Sequence, residues 1–150
     1  MSCHVSASRA AVYQALLDAD AIAKWRVPAG MTGHVHEFEP REGGHFRISL
    51  TYDAPVAAGK SGPRTDTYRG RFATLVPNEK VVEVLAFETP DAELRAAMTM
   101  TTTLHDVDGG TEVVIEHDGI PDSVSRADNE TGTRMALANL KSLVESNRHR

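Results

Sequence analysis

The chain contains almost no cysteine, no long apolar run and no excess of basic charge. Its single cysteine, Cys3, excludes an intramolecular disulfide, which fits a reducing compartment. Residues 1–6 lack the basic region and the apolar core of a secretory signal peptide. No segment approaches the roughly 18 consecutive apolar residues that a membrane span requires. We therefore expect a cytoplasmic protein without a membrane span.

Acidic residues outnumber basic ones by 21 to 16, which gives a formal net charge of −5. Lys and Arg are scattered, whereas a nucleic-acid-binding protein would present a basic stripe, so we expect no nucleic-acid partner. The hydrophobic content of 41% and the charged content of 25% are ordinary for a globular protein. A chain of 150 residues suits one domain, residues 1–150, which can bury a core without disulfides or metals.

Apolar residues at helical spacing occur at both ends of the chain. Val12 and Leu16 predict a first short helix, and a second short helix is predicted over residues 21–25. Leu140 and Val144 belong to a longer apolar stripe that predicts a C-terminal helix. Two short helices near the N-terminus and one long helix at the C-terminus therefore flank the middle of the chain.

The middle of the chain, from about residue 34 to residue 117, alternates between apolar and polar residues. Phe46, Ile48 and Leu50, for example, are separated by polar neighbours, which is typical of a half-buried strand. Short turns such as the one at Gly109 join successive strands, so the sheet should be antiparallel. Together with the flanking helices, this pattern predicts an α+β fold. The segment 81–88 is apolar in part on both faces, so its register stays open.

Several helix boundaries have more than one candidate residue. Ser6 or Ser8 can cap the first helix, and Asp18 or Asp20 can cap the second. Gly132 lies within the last helical pattern, where it marks a kink, the end of a shorter helix or a close backbone approach.

Proline and glycine mark the other boundaries. Pro28 and Gly30 should end the second helix, and residues 54–66 form a long loop rich in Gly and Pro. Pro121, with Asp122 or Ser123 as the cap, should begin the last helix.

Several local strings, taken in order, resemble START-like (SRPBCC) proteins, specifically the homologues of the activator of heat shock protein 90 ATPase. The resemblance covers nearly the whole chain without large gaps. Its strings lie at residues 11–18 (Ala-Val-Tyr-Gln-Ala-Leu-Leu-Asp), 24–25 (Lys-Trp), 28–31 (Pro-Ala-Gly-Met), 41–47 (Arg-Glu-Gly-Gly-His-Phe-Arg), 68–72 (Tyr-Arg-Gly-Arg-Phe), 76–80 (Val-Pro-Asn-Glu-Lys), 110–117 (Gly-Thr-Glu-Val-Val-Ile-Glu-His) and 119–121 (Gly-Ile-Pro).

This resemblance implies a helix-grip fold, in which a curved antiparallel sheet wraps around a long C-terminal helix, often with a cavity between them. The chain departs from the family at two places. Gly132 is followed by Thr133 where the family commonly has Trp, so a large aromatic at the cavity mouth is missing. Only residues 2–5 precede the first helix, so that sheet edge is either weakly formed or completed by another chain, as in a homodimer.

No motif nominates a catalytic group, a metal site or a cofactor. His34 and His36 share a strand face, but a zinc site needs at least one more ligand and no metal-binding string supplies it. Ser123 and Ser125 lie outside any nucleophile-elbow motif, and Gly43 does not precede a helix as a phosphate-binding glycine would. We therefore expect no catalytic residue, no metal and no cofactor.

Flexible methionines and sheet aromatics form the candidate binding site. Methionine can line a cavity that accepts varied apolar shapes, although the same residues also suit a filled core. The resemblance favours the cavity, with Tyr68 and Thr102 orienting the ligand. The candidate ligand-binding residues are Trp25, Phe46, Ile48, Tyr68, Phe72, Met98, Met100, Thr102 and Met135.

Three functions follow in order of preference. The first is non-enzymatic binding or carriage of a small apolar or aromatic molecule between the sheet and the C-terminal helix. The second is a co-chaperone-like interaction with a chaperone partner, which would need an exposed apolar patch. The third is an enzyme, such as a cyclase or a hydrolase, acting in the same cavity. An enzyme ranks last because no residue is nominated as a catalytic group.

Overall fold

A computed structural model describes residues 1–27, 31–52, 65–88, 96–120 and 126–147 of the chain. This described part contains seven strands and three helices. In chain order they are β1 (Ser2–Val5), α1 (Arg9–Leu16), α2 (Ala19–Trp25), β2 (Met31–Phe38), β3 (His45–Tyr52), β4 (Thr65–Val76), β5 (Lys80–Phe87), β6 (Met98–Val107), β7 (Gly110–Asp118) and α3 (Arg126–Asn147).

The strands form one antiparallel sheet in the order β1-β7-β6-β5-β4-β3-β2. Strands that follow one another in the chain from β2 to β7 are neighbours in the sheet, as is usual for consecutive strands. β1 is the exception, because its four residues pair with β7 at the edge of the sheet, where Ser2 faces Val114 and Val5 faces Thr111. The curved sheet with its C-terminal helix confirms the α+β, helix-grip prediction.

One face of the sheet packs under the helices and the other carries most of the polar side chains. The alternation in β3 places Phe46 and Ile48 in the core. In β5 the buried residues are Val81, Glu83 and Leu85, which settles the register of this strand. The inward face of β5 therefore carries a charged residue in the middle of an apolar row.

The short helices begin at side-chain caps. The Ser8 hydroxyl accepts a hydrogen bond from the Ala11 N–H at 3.2 Å. The Asp18 carboxylate accepts two, from Asp20 at 2.8 Å and from Ala21 at 3.1 Å. Each cap satisfies N–H groups that the first turn of a helix leaves unpaired. Ser8 and Asp18 are therefore the caps among the residues that the sequence offered.

The long helix α3 packs its apolar stripe against the sheet, and Leu137, Leu140 and Val144 of this stripe are buried. α3 continues through Gly132, and a Cβ built there would meet no described atom within 4 Å. This glycine therefore marks neither a helix end nor a close backbone approach. No helix of the described residues is long and apolar enough to cross a membrane.

Some predicted boundaries lie outside the described residues. These are Pro28 and Gly30 after α2, most of the loop over residues 54–66, and the cap candidates Pro121, Asp122 and Ser123 before α3. Ser125 lies outside them as well.

Candidate functional site: a cavity between the sheet and the last helix

A cavity of about 530 Å³ lies between the inner face of the sheet and α3. Its sheet residues come from one end of the sheet, because the ends of β3, β5 and β7 meet the starts of β4 and β6 in an antiparallel arrangement. The lining residues are Trp25, Arg26, Met31, Leu50, Tyr52, Asp66, Phe87, Met98, Met100, Ile115, His117, Asn129, Thr131, Gly132, Thr133, Met135 and Ala136. This set combines aromatic, aliphatic and thioether side chains with a few polar groups, the composition typical of small-molecule sites.

The structure divides the residues that the sequence nominated into two groups. Trp25, Met98, Met100 and Met135 line the cavity. The other five are buried and are not among the described lining residues: Phe46, Ile48, Tyr68, Phe72 and Thr102.

Part of this second group forms an aromatic cluster in the packed core. The Phe46 ring lies 5.2 Å from that of Phe72 and 6.2 Å from that of Tyr68, measured between centroids. These distances are those of favourable aromatic pairs. Phe46 and Phe72 therefore pack away from the cavity, whereas Tyr68 joins them to the lining residue Arg26, 5.3 Å from its ring.

A buried ion pair joins the end of α2 to the inner face of β5. The Arg26 Nη1 donates to the Glu83 Oε1 at 2.5 Å, and the two side chains are only 10% and 5% exposed. Burial alone would lower the pKa of Arg26, but the Glu83 carboxylate raises it, and the net pKa lies above the usual range. Arg26 therefore stays charged, and Glu83 compensates a charge that would be very unfavourable alone.

Two aromatic rings lie close to the guanidinium of Arg26. Its Cζ lies 5.7 Å from the centroid of the Trp25 ring and 5.3 Å from that of the Tyr68 ring. Both distances fall within the range of cation–π attraction. The Arg26 Nη2 also lies 3.9 Å from the sulfur of Met100, another lining residue. Arg26 is thus fixed against the cavity wall.

Two hydrogen-bonded supports position the α2 end that carries Arg26. The Asn139 side chain of α3 donates to the carbonyl oxygens of Trp25 at 3.4 Å and Val27 at 3.2 Å. The Trp25 indole donates to the Ala15 carbonyl at 3.1 Å. Carbonyls at a helix C-terminus lack partners within the helix, so Asn139 caps α2 from outside.

Further polar groups of the cavity come from the strand ends. The Tyr52 hydroxyl donates to Asp66 at 3.1 Å, and burial together with the Asp66 carboxylate raises the pKa of Tyr52. Burial, and then the charge of Arg26, lower the pKa of His117 below its usual value. A neutral imidazole, a phenol and a carboxylate therefore share the cavity with the guanidinium.

Two buried hydroxyls lie directly beside the lining. Neither the Tyr68 Oη nor the Thr102 Oγ1 has a hydrogen-bond partner in the part of the chain that the structure describes. Burial raises the pKa of Tyr68, so its hydroxyl keeps its proton. A buried polar group without a partner costs about 1–3 kcal/mol, so these hydroxyls weaken the packing next to the cavity.

Sequence reasoning missed Arg26, Glu83, Asp66 and His117. The strand pattern could have predicted that Glu83, Asp66 and His117 face inward, since each lies two positions from an apolar residue of the inward face. His117 follows Ile115 in this way, and Asp66 precedes Tyr68. No such pattern exists for Arg26, because its position depends on where α2 ends.

A second concavity, a surface cleft of about 740 Å³, lies between α1, α3 and the β6–β7 turn. Its lining consists of Ser6, Ala7, Ser8, Ala11, Gln14, Ala15, Asp18, Ala21, Gly109, Gly110 and Val144. These residues are mostly small and include no aromatic side chain, so they offer a ligand little apolar contact.

The outer face of the sheet holds the two histidines that share a strand. The rings of His34 and His36 lie 4.5 Å apart, and the His36 Nε2 lies 2.7 Å from the Ser49 hydroxyl. Burial, followed by the charge of Arg47, lowers the pKa of His36. No group of three or more His, Cys, Asp or Glu side chains that could hold a metal occurs within the described segments.

Comparisons with known proteins show which family this chain resembles. A model of the family described as "Activator of Hsp90 ATPase homolog 1-like protein" matches residues 6–145. A crystal structure of a Chromobacterium violaceum protein is 32% identical, with a TM-score of 0.86, over 97% of this chain and 94% of that one. None of the curated proteins compared with the chain matches it.

Two more distant structures share the fold. A Rhodobacter sphaeroides protein is 22% identical with a TM-score of 0.78, over 97% of this chain and 90% of its own. An Arthrobacter aurescens protein is 16% identical with a TM-score of 0.79, over 97% and 84%. The resemblance noted in the sequence is confirmed, and the chain belongs to the Activator of Hsp90 ATPase homolog 1-like family.

Proposed function

We propose that the protein binds, and thereby carries, a small apolar or aromatic molecule in the cavity between the sheet and α3. The observation that carries this proposal is the lining, where four flexible methionines surround the space together with Trp25 and Phe87. Methionine side chains adjust to apolar shapes and make favourable contacts with aromatic rings. Such a lining suits a ligand built from rings.

The free energy gained by burying apolar ligand surface limits the affinity that this lining provides by itself. A ring system as large as a tryptophan side chain buries about 150–250 Å², which at about 25 cal/mol per Å² gives roughly 4–6 kcal/mol. Association costs consume a large share of that gain. We therefore expect weak binding of purely apolar molecules, and tighter binding of ligands that also use the polar groups.

The co-chaperone-like alternative has no comparable support. Among the described residues, the large hydrophobic side chains classed as exposed are Met1 and Val107. Two such side chains are ordinary for a protein surface and fall short of an apolar docking patch.

Gly132 allows a direct test with a matched control. It lines the cavity, and a side chain added there meets open space, so Gly132→Leu fills the cavity without removing any core atom. Gly132→Ala changes the helix in the same way but occupies little of the volume. The neutral fluorescent probe N-phenyl-1-naphthylamine is titrated into wild type and both variants.

The proposal predicts saturable probe binding that Gly132→Ala retains and Gly132→Leu weakens by about tenfold or more, or about 1.4 kcal/mol. Thermal unfolding verifies that both variants are folded. Absence of saturable binding to wild type, or equal affinity of Gly132→Leu and Gly132→Ala, would refute the proposal.

A second candidate function is an enzyme that acts on the bound molecule, and His117 is the observation that favours it. A neutral imidazole in the cavity can accept a proton, and an N–H of Arg26, which also lines the cavity, can hydrogen-bond to a carbonyl oxygen of the bound molecule. The test is deuterium uptake into the methyl group of 2-acetylnaphthalene in D₂O. Uptake faster with wild type than with His117→Gln would support an enzyme, and equal uptake would favour a carrier.

A further inference from the structure

Arg26 brings more N–H donors to the cavity wall than its described partners accept. A guanidinium has five N–H donors. One bonds to Glu83 and another lies near the weakly accepting sulfur of Met100. The other three have no acceptor among the described residues, and Arg26 lines the cavity. A ligand oxygen is the kind of group that would complete this set.

The charges around Arg26 decide which kind of oxygen fits. Glu83, which is not among the described lining residues, already compensates the guanidinium at 2.5 Å. His117 contributes no positive charge, because burial and Arg26 hold its pKa below the usual value. A ligand carboxylate would therefore meet a guanidinium whose charge Glu83 already compensates.

We infer that the Arg26–Glu83 pair selects ligands with an uncharged acceptor, such as a ketone carbonyl, over their carboxylate analogues. This inference rests on the proposed function, since it assigns the polar group of the molecule bound in that cavity. Donation from Arg26 to a carbonyl oxygen leaves the ion pair intact. Recognition of a carboxylate would instead set the ligand and Glu83 in competition for one guanidinium.

Two probes of matched shape test the selection. 2-Acetylnaphthalene carries a ketone where 2-naphthoate carries a carboxylate, and each is titrated into the full chain by calorimetry at neutral pH. The inference predicts that wild type binds the ketone about tenfold or more tightly than the carboxylate, the effect expected of one unfavourable charge contact. Equal affinity, or tighter binding of 2-naphthoate, would overturn it.

Glu83→Gln tests whether the pair is the cause. This variant keeps the side-chain shape but frees the charge of Arg26, so the preference should shift toward 2-naphthoate by at least tenfold. Glu88→Gln is the matched control, because Glu88 pairs with Arg47 through bonds of 2.7 and 3.2 Å and does not line the cavity. The control should keep the wild-type ratio. An unchanged ratio in Glu83→Gln would contradict the inference.

A double variant covers the case in which Glu83→Gln does not fold. Arg26→Gln with Glu83→Gln removes both charges, and it should bind the two probes with closely similar affinity while losing affinity for the ketone. Retention of the wild-type preference would overturn the inference.

N-phenyl-1-naphthylamine, which has neither a ketone nor a carboxylate, separates the two proposals. If wild type binds N-phenyl-1-naphthylamine but binds 2-acetylnaphthalene and 2-naphthoate equally well, this inference alone is refuted. If wild type binds none of the three probes, the proposed function is refuted as well.

Discussion

Removing the charge of Glu83 should strongly destabilise the fold, because Arg26 cannot release its own charge. The two side chains are 10% and 5% exposed, so little water reaches the guanidinium once its partner is gone. Breaking such a buried pair costs about 3–5 kcal/mol. For a chain of about this length, that loss corresponds to a fall in Tm of roughly 6–20 °C. A fold with ordinary stability of about 5–15 kcal/mol should still form at low temperature.

Urea unfolding of four proteins measures this effect against a control. Glu83→Gln should lower the free energy of unfolding by about 3–5 kcal/mol, whereas Arg26→Met combined with Glu83→Met should recover most of that loss. Glu88→Gln breaks the Arg47 pair, whose side chains are 40% and 29% exposed, and should cost no more than about 1 kcal/mol. A loss in Glu83→Gln as small as in Glu88→Gln would refute the reasoning.

Three other substitutions test neighbouring parts of the cavity. Tyr68→Phe removes a buried hydroxyl without a described partner, so the free energy of unfolding in urea should not fall; a loss above about 1 kcal/mol would contradict this. The folded-state pKa of His117 is lowered, so the stability that its neutral form contributes should be complete above about pH 6.5 and should decline as the pH falls further. His117→Gln should flatten that decline when thermal unfolding is compared at pH 7 and pH 5. A decline as steep as in wild type would refute the role of His117. Met100→Trp should fill the cavity and weaken N-phenyl-1-naphthylamine binding by about tenfold while the protein stays folded; unchanged affinity would remove Met100 from the site.

Most of the fold could be predicted from the sequence because its elements have clear periods. A strand with one buried face alternates with a period of two, as β3 does around Phe46 and Ile48. Helix starts have few possible caps, and the structure selected Ser8 and Asp18 among them. In β5 the period was not enough, because both faces contain apolar residues.

The cavity was harder to predict, because alternation identifies the buried face but not the position along it. Phe72 and Met98 both point to the inner face, yet the first packs in the aromatic cluster and the second lines the cavity. That division depends on where α3 crosses the sheet. The pairing of Arg26 with Glu83 joins residues far apart in the chain and requires the finished fold.

Methionine methyl NMR tests most directly whether the cavity is the binding site. Of the five methionines, Met31, Met98, Met100 and Met135 line the cavity, and Met1 lies at the exposed start of the chain. The protein is labelled with ¹³C at the methionine methyl groups and titrated with N-phenyl-1-naphthylamine to saturation. We expect the four cavity methyl signals to shift together and by more than the signal of Met1, whose side chain is exposed although its backbone bonds to the lining residue Ile115. Saturable binding that leaves those four signals unmoved would contradict the account.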